Sequence, residues 1–265
     1  MTKAQIEQKV VDYAKKAHYN SDMSTKEVKD RINTAIKAIV ALAFSFPNQG
    51  KDFRFGTNQK AIQILADMRK DITTIITNRT NYAKDISNRL NKGLGVDVTD
   101  WDSDEWIGSI QYNKSYAQRL GIYTNRLKFE VEAYIAVGME QGLDATKISD
   151  WFMANIESPH THNAILGAIG YASVRASGIL KVGIGGITSA YKSIVRLNDD
   201  MLMSAYNISN RTTWGEANLF KYVLTMGDSL VCSRCESNVG IIFPASEYVV
   251  QVHNRCRCIE IPILV

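Results

Sequence analysis

The chain of 265 residues is predicted to be mainly α, a bundle of long helices followed by a small C-terminal α+β module. Three observations carry that expectation. Apolar residues recur at steps of three and four through most of residues 3–208, the period of helices with one buried face. Aromatic and β-branched runs of strand length begin only at Leu219. All four cysteines fall in the last stretch, Cys232-Ser233-Arg234-Cys235 and His253-Asn254-Arg255-Cys256-Arg257-Cys258, so the C-terminal end has the composition of a crosslinked, knuckle-like module. The expected division is a helical domain over 1–182 and the module over 187–265, with Val182-Gly183-Ile184-Gly185-Gly186 as a hinge between them.

Taken in order, residues 3–18 form a helix with Ile6, Val10, Tyr13 and Ala14 as its apolar stripe, broken by Asn20, Ser21 and Asp22. Ser24-Thr25-Lys26-Glu27 reads as a capping box, in which the Ser24 hydroxyl and the Glu27 carboxylate satisfy each other's backbone N–H, opening a second helix to about Phe46. Pro47, Asn48 and Gly50 end it. Phe53 and Phe55 border the next helix start as a hydrophobic clip, a reading preferred over a nucleic-acid stacking patch built with Arg54. A long helix then runs to about Leu90 and stops at Lys92-Gly93-Leu94-Gly95.

The acidic run from Asp97 to Trp106 lacks the central glycine and final glutamate of a calcium loop, and its carboxylates suit the start of a helix instead. A second long helix, apolar at Tyr116, Leu120, Tyr123, Leu127, Val131 and Tyr134, is expected to lie antiparallel to the first. Residues 145–156 form a short helix with Trp151 and Phe152 facing inward. His160 and His162 follow in a break and are read as a helix start, because no partner for acid-base or metal chemistry stands near them in sequence. Residues 164–179 form a helix rich in small residues, and 187–208 another, ended by a turn at residues 210–215. Short strands at Leu219 to Thr225, Ile241 to Phe243 and Arg257 to Ile263 complete the module.

Charge is uneven. The net charge is +4, yet residues 1–98 hold 17 Lys and Arg against 10 Asp and Glu, while the remainder is acidic. The lysines are spread rather than clustered, which reads as a solvated helical surface before it reads as a polyanion site. No apolar run is long enough to span a membrane, and the charged first residues carry no cleavage-site pattern, so synthesis in a cytoplasm is expected.

Two cysteine pairs separated by a strand-and-turn length have the spacing of a tetrahedral zinc site. Five candidate ligands compete for four positions. If residues 256–258 are extended, Cys256 and Cys258 face one side, and Cys232, Cys235, Cys256 and Cys258 make a tetrathiolate site with His253 beside it. The alternative uses Cys232, Cys235, His253 and Cys256, leaving Cys258 packed as a small apolar residue. A third reading has no metal, only thiols or two disulfides. Four thiolates fill zinc's coordination and leave no position for water, so the ion is expected to be structural, and no nucleophile-base pair stands at recognisable spacing elsewhere.

The run Asp228, Cys232-x-x-Cys235, Gly240, His253-x-x-Cys256-Arg257-Cys258 and Pro262 resembles the C-terminal signature of the phage Mu F-like head morphogenesis family, minor head proteins of tailed phages and prophages. The likeness covers residues 187–265. Upstream, Arg196 sits where relatives carry an Arg-Thr-Glu helix, of which only the arginine is present, and Gln251-Val252 stand where a proline usually precedes the histidine. The resemblance implies a structural, non-enzymatic minor head protein, made in the bacterial host cytoplasm and placed at few copies in the head interior or portal region of the virion. Its implied partners are the portal or other capsid proteins, with packaged DNA as a non-specific contact and no membrane. Two other classes stand beside it. One is a metal-containing nuclease or toxin-like effector using Asp228. The other is a zinc-ribbon nucleic-acid-binding protein, disfavoured because Lys221, Arg234, Arg255 and Arg257 are balanced by Asp228, Glu236, Glu247 and Glu260.

Overall fold

The structure is a computed structural model and describes residues 1–45, 53–110, 113–159, 189–225, 236–247, 249 and 258–264. Among these residues it is mainly helical, as the periodicity predicts. The helices are α1 (Lys3–Phe44), α2 (Gln59–Leu94), α3 (Ser103–Gly108), α4 (Tyr116–Glu140), α5 (Ala145–Asn155) and α6 (Ala190–Glu216). The strands β1 (Phe220–Thr225), β2 (Ile242–Pro244) and β3 (Cys258–Ile263) form one antiparallel sheet in the order β2-β1-β3. No helix among the described residues is long and apolar enough to cross a membrane.

Two compact units divide the chain, one of Met1–Thr25, Ile75–Ser109 and Asn198–Val265, the other of Lys26–Thr74 and Ile110–Leu197. In the first unit, Lys9 Nζ donates to the Gly93 carbonyl at 2.5 Å and Asn20 Nδ2 to that of Arg79 at 2.9 Å. Rising numbers on α1 meet falling numbers on α2, so the two helices run antiparallel there. Ile6, Val10, Ala14 and Ala17 of α1 join Ala83, Ile86 and Leu90 of α2, Tyr206 and Trp214 of α6, and Ile259 and Ile261 of β3 in one core. A polar network crosses it. Trp214 Nε1 donates to Asn91 Oδ1 at 2.5 Å, Asn91 Nδ2 donates to Asn210 Oδ1 at 3.1 Å, and Ser87 Oγ donates to the same Asn210 oxygen at 2.6 Å.

This network corrects one sequence expectation. Residues 210–215 do not turn; α6 continues to Glu216, because Asn210 and Trp214 are buried and use their polar atoms on α2 rather than on local caps. The helix stops at Asn218, whose φ of 52° is left-handed, with Leu219 N–H returning to the Trp214 carbonyl at 3.0 Å. The break at Asn20, Ser21 and Asp22 and the capping box at Ser24 to Glu27 are likewise absent, since α1 runs through both. Asn20 and Ser21 are buried and spend their side chains on Arg79 and on the Asp199 carboxylate. Residues that cap helices when exposed become tertiary donors when a neighbour supplies the acceptor.

Other expectations hold. Helix α2 ends with Gly95 at φ 76°, the left-handed position that costs a glycine little. The acidic run does start a helix: Asp102 accepts from the N–H of Asp104 at 2.8 Å and of Glu105 at 3.0 Å. Asp100 lies 2.6 Å from Lys84 Nζ, and the hydrogen bond from that ammonium holds its carboxyl below the usual carboxylate value.

In the second unit Phe53 and Phe55 are buried edge to face, 5.4 Å between ring centroids, which makes them the predicted clip and removes them from any stacking surface. Phe55 N–H donates to Glu132 Oε1 at 2.5 Å, and the Arg69 guanidinium covers Gly121. Those two contacts run in opposite chain directions, so α2 and α4 are antiparallel here, as expected. The Tyr134 ring meets Trp151 at 4.5 Å and Phe152 at 4.9 Å, joining α4 to α5. Phe152 is buried, whereas Trp151 is half-buried. Helix α6 begins with Ala190 N–H donating to the buried Glu130 carboxylate at 2.9 Å, a favourable place for negative charge. The glycine hinge at residues 182–186, the helix at 164–179, His160 and His162 all lie outside the described residues.

Asn91 holds the first unit's network together. Asn91→Ala leaves the Trp214 N–H without its acceptor and removes one of the two donors to Asn210 Oδ1, Ser87 Oγ being the other, and is expected to cost about 2–4 kcal/mol, read as a lower urea midpoint at unchanged slope.

Candidate metal-binding end of the C-terminal sheet

Strand β1 is the centre of the sheet, and its register decides what each face carries. Thr225 pairs with Cys258, Val223 with Glu260 and Lys221 with Pro262 on one side, while Lys221 pairs with Phe243 on the other. Residues directly opposite in an antiparallel pair share a face, so Cys258, Glu260 and Pro262 stand with Thr225, Val223, Lys221 and Phe243. Tyr222, Leu224, Ile259 and Ile261 occupy the other face, towards the core.

Cys258 therefore sits at the end of the sheet where β1 stops and the chain goes on towards Cys232 and Cys235. The chain returns beside the same end. Val239 bridges Val223, and the Gly240 N–H donates to the Val223 carbonyl at 3.0 Å. Gly240 has φ 76°, the conformation that glycine takes without strain, consistent with a turn at that position. Both flanks of residues 226–235, and the start of β3, are thus tied to residues 223–225.

Cys258 is half-buried and packs with Val223, Phe243 and Val249. Of the five candidate ligands it alone lies within the described residues; Cys232, Cys235, His253 and Cys256 lie outside them, as does Asp228. Among the described residues no group of three or more His, Cys, Asp or Glu is assembled. The placement of Cys258 suits a thiolate ligand in one respect: it is at a strand end, shielded on one side by apolar side chains and adjoining the backbone that leads to the other pair. It equally allows the alternative in which Cys258 is only a packed apolar residue.

Two residues along the same face lies a feature that sequence reasoning missed. Glu260 is buried, and its carboxylate accepts from Lys221 Nζ at 2.9 Å and from Arg211 Nε at 3.2 Å to each oxygen. The Lys221 ammonium, wholly shielded from solvent, also donates to the Ala245 carbonyl at 2.9 Å and to that of Glu247. Burial lowers the pKa of Lys221; the Glu260 carboxylate acts in the opposite sense and the Arg211 guanidinium in the same sense. Nearby, burial raises the pKa of the Tyr206 phenol above its usual value, and the Glu260 charge adds to that effect. The charge balance read from the sequence includes Lys221 and Glu260, but both are buried and neither is available to a partner. The available signal was their position, a lysine inside Phe220-Lys221-Tyr222-Val223 and a glutamate inside Ile259-Glu260-Ile261, where a charge on a buried face of a strand has nowhere to go except to another charge.

Compared with family models, curated proteins and solved structures, the chain has no significant match.

Glu260→Ala is expected to destabilise the first unit by about 3–5 kcal/mol, because it leaves two buried cations without their carboxylate. Glu260→Gln, which keeps hydrogen-bonding oxygen but not the charge, should fall between it and the parent. A change under about 1 kcal/mol for Glu260→Ala in urea unfolding would mean that the cations relax to solvent.

Proposed function

We propose that the chain is a structural minor head protein of a tailed phage or prophage, acting in head morphogenesis near the portal, with its C-terminal end held by one structural zinc ion. The observation that carries this reading is the ordered run Cys232-x-x-Cys235, Gly240, His253-x-x-Cys256-Arg257-Cys258 and Pro262. The register of β1 with β3 supports it, because Cys258 and the flanks of the segment bearing Cys232 and Cys235 meet at one end of the sheet. Cys232, Cys235, Cys256 and Cys258 would hold the ion, with His253 as the alternative fourth ligand. Bound zinc supplies a crosslink between two chain segments and, with four protein ligands, no open coordination position for catalysis. The protein would act without turnover, at few copies per particle, in contact with the portal or other capsid proteins and non-specifically with packaged DNA.

Mass spectrometry of purified particles is expected to find this chain in the head; its absence from particles made by a lysogen that expresses it overturns the assembly role. Elemental analysis of the reduced protein is expected to give one zinc per chain, lost in Cys256→Ser. Loss of metal in Cys258→Ser with retention in His253→Ala establishes the tetrathiolate set, and the reverse pattern establishes the histidine. A metal-free protein with two disulfides by mass overturns the zinc assignment while leaving the particle measurement to decide the rest.

A further inference from the structure

A cleft of about 490 Å³ opens in the first unit between the start of α1 and the sheet, a volume in the range of small-molecule sites, roughly 300–1,000 Å³. Its apolar wall includes Ile6, Leu224, Val239, Ile242, Ile263 and Leu264. Ile242 and Val239 are exposed there, 62% and 40%, and leave apolar area open to a ligand.

One end of the cleft is polar, and its chemistry is selective. The Glu7 carboxylate accepts a hydrogen bond from the Tyr222 hydroxyl. Burial first, and then the Glu7 hydrogen bond and charge, push the Tyr222 phenol above its ordinary pKa, so it stays a donor at neutral pH. A cation already uses this corner. Lys3 Nζ lies 5.0 Å from the centroid of the Tyr222 ring and 3.9 Å from Glu7 Oε1, on a side chain that remains 78% exposed. An aromatic face beside a carboxylate attracts an ammonium group by ring quadrupole and by charge, and repels an anion. Lys3 reaches it loosely, from a largely exposed side chain on the wall of the cleft.

We propose that this cleft binds a small amphipathic amine, a primary ammonium on an unbranched aliphatic chain. The ammonium takes the position over the Tyr222 ring and beside Glu7 that Lys3 now visits, and the aliphatic chain lies along Leu224, Ile242 and Ile263. Charge complementarity selects the amine over a fatty acid. The cleft shares Val223, Val239 and Gly240 with the cysteine end but none of its lining residues is a candidate ligand, so its ligand binding is tested apart from the assembly role.

The assignment makes Lys3 a tethered competitor of the ligand, and that gives the test its sign. Calorimetric titration of the full chain with octylammonium chloride, octanoate and octanol should show octylammonium binding about tenfold more tightly than octanoate, the discrimination of one favourable against one unfavourable charge contact. Lys3→Ala should tighten octylammonium binding about threefold, whereas Glu7→Gln should weaken it about fivefold, and Ile242→Ala should weaken amine and alcohol alike. Lys3 is exposed, so its variant tests the site even where Glu7→Gln perturbs packing through Tyr222. Equal affinity for octanoate, or unchanged or weaker amine binding in Lys3→Ala, overturns the proposal. An acetylated, amidated Ile-Lys-Ile peptide that binds tenfold more tightly than octylammonium also overturns it, in favour of a protein partner's lysine.

Discussion

Glu260 is where helix α6, strand β1 and strand β3 are joined, and the arrangement of the C-terminal sheet depends on it. Two cations from different elements, Arg211 and Lys221, converge on one buried carboxylate. Removing three charges from water costs several kcal/mol for each, and their attraction and hydrogen bonds offset that cost only while all three stay in place. Such a group therefore contributes less to net stability than to the choice of one arrangement. The alternatives expose the point. Sliding β3 by a single residue against β1 turns Glu260 to the opposite face, where Ile6, Val10 and Trp214 supply no counter-charge, and carries Cys258 round with it. The ion triad thus fixes the register, and the register fixes the face from which Cys258 projects.

That dependence alters what a metal would do. Read from the sequence, about fifty C-terminal residues hold little apolar material for a core of their own, and a metal crosslink reads as a substantial part of their support. The sheet instead draws on the helices: Ile259, Ile261 and Leu219 share the core of Ile6, Val10, Leu90 and Trp214. Hydrophobic burial against α1, α2 and α6 supports β1 and β3, so the crosslink has a narrower task. It would tie together the two chain segments that leave the sheet at Thr225 and enter it at Cys258, at the end where the small cluster of Val223, Phe243 and Val249 is the apolar packing present.

The parts of the fold that sequence reading recovered are those where a local pattern has one physical outcome. The apolar stripe of α2, the clip of Phe53 and Phe55, the acid-capped start of α3 and the three strands all follow from side-chain period and terminus chemistry. The parts it missed are those where a polar residue has two uses. Asn20, Ser21 and Asn210 favour caps and turns when water surrounds them, and extend helices when a neighbouring helix offers a partner. Nothing local distinguishes the two cases. The composition of the units escaped for a similar reason: each gathers separated segments, and segment pairing depends on contacts such as Lys9 with Gly93 or Phe55 with Glu132 that lie far apart in the chain.

The candidate site divides in the same way. Cysteine spacing is a chemical signal that a sequence displays directly, because thiols in two tight pairs have few physical uses, and of its candidate ligands the described residues include Cys258 alone. Its setting was not legible, since Lys221 and Glu260 look like ordinary surface charges until the face of the sheet that carries them is known to be buried. A charge flanked by β-branched and aromatic residues at strand spacing is then better read as one member of a buried pair than as surface charge. Arg211 completes the argument. It lies forty-nine residues before Glu260, in a stretch whose asparagine and threonines suggest a turn, and only its burial within α6 identifies it as the second cation. The count of cations over the module therefore overstated what the surface can offer a nucleic acid, although the balance of charge is unchanged because Glu260 is buried with Lys221. Lys221, one of the four cations counted there, is committed to the interior, and the polyanion contact proposed for this protein has to come from other residues.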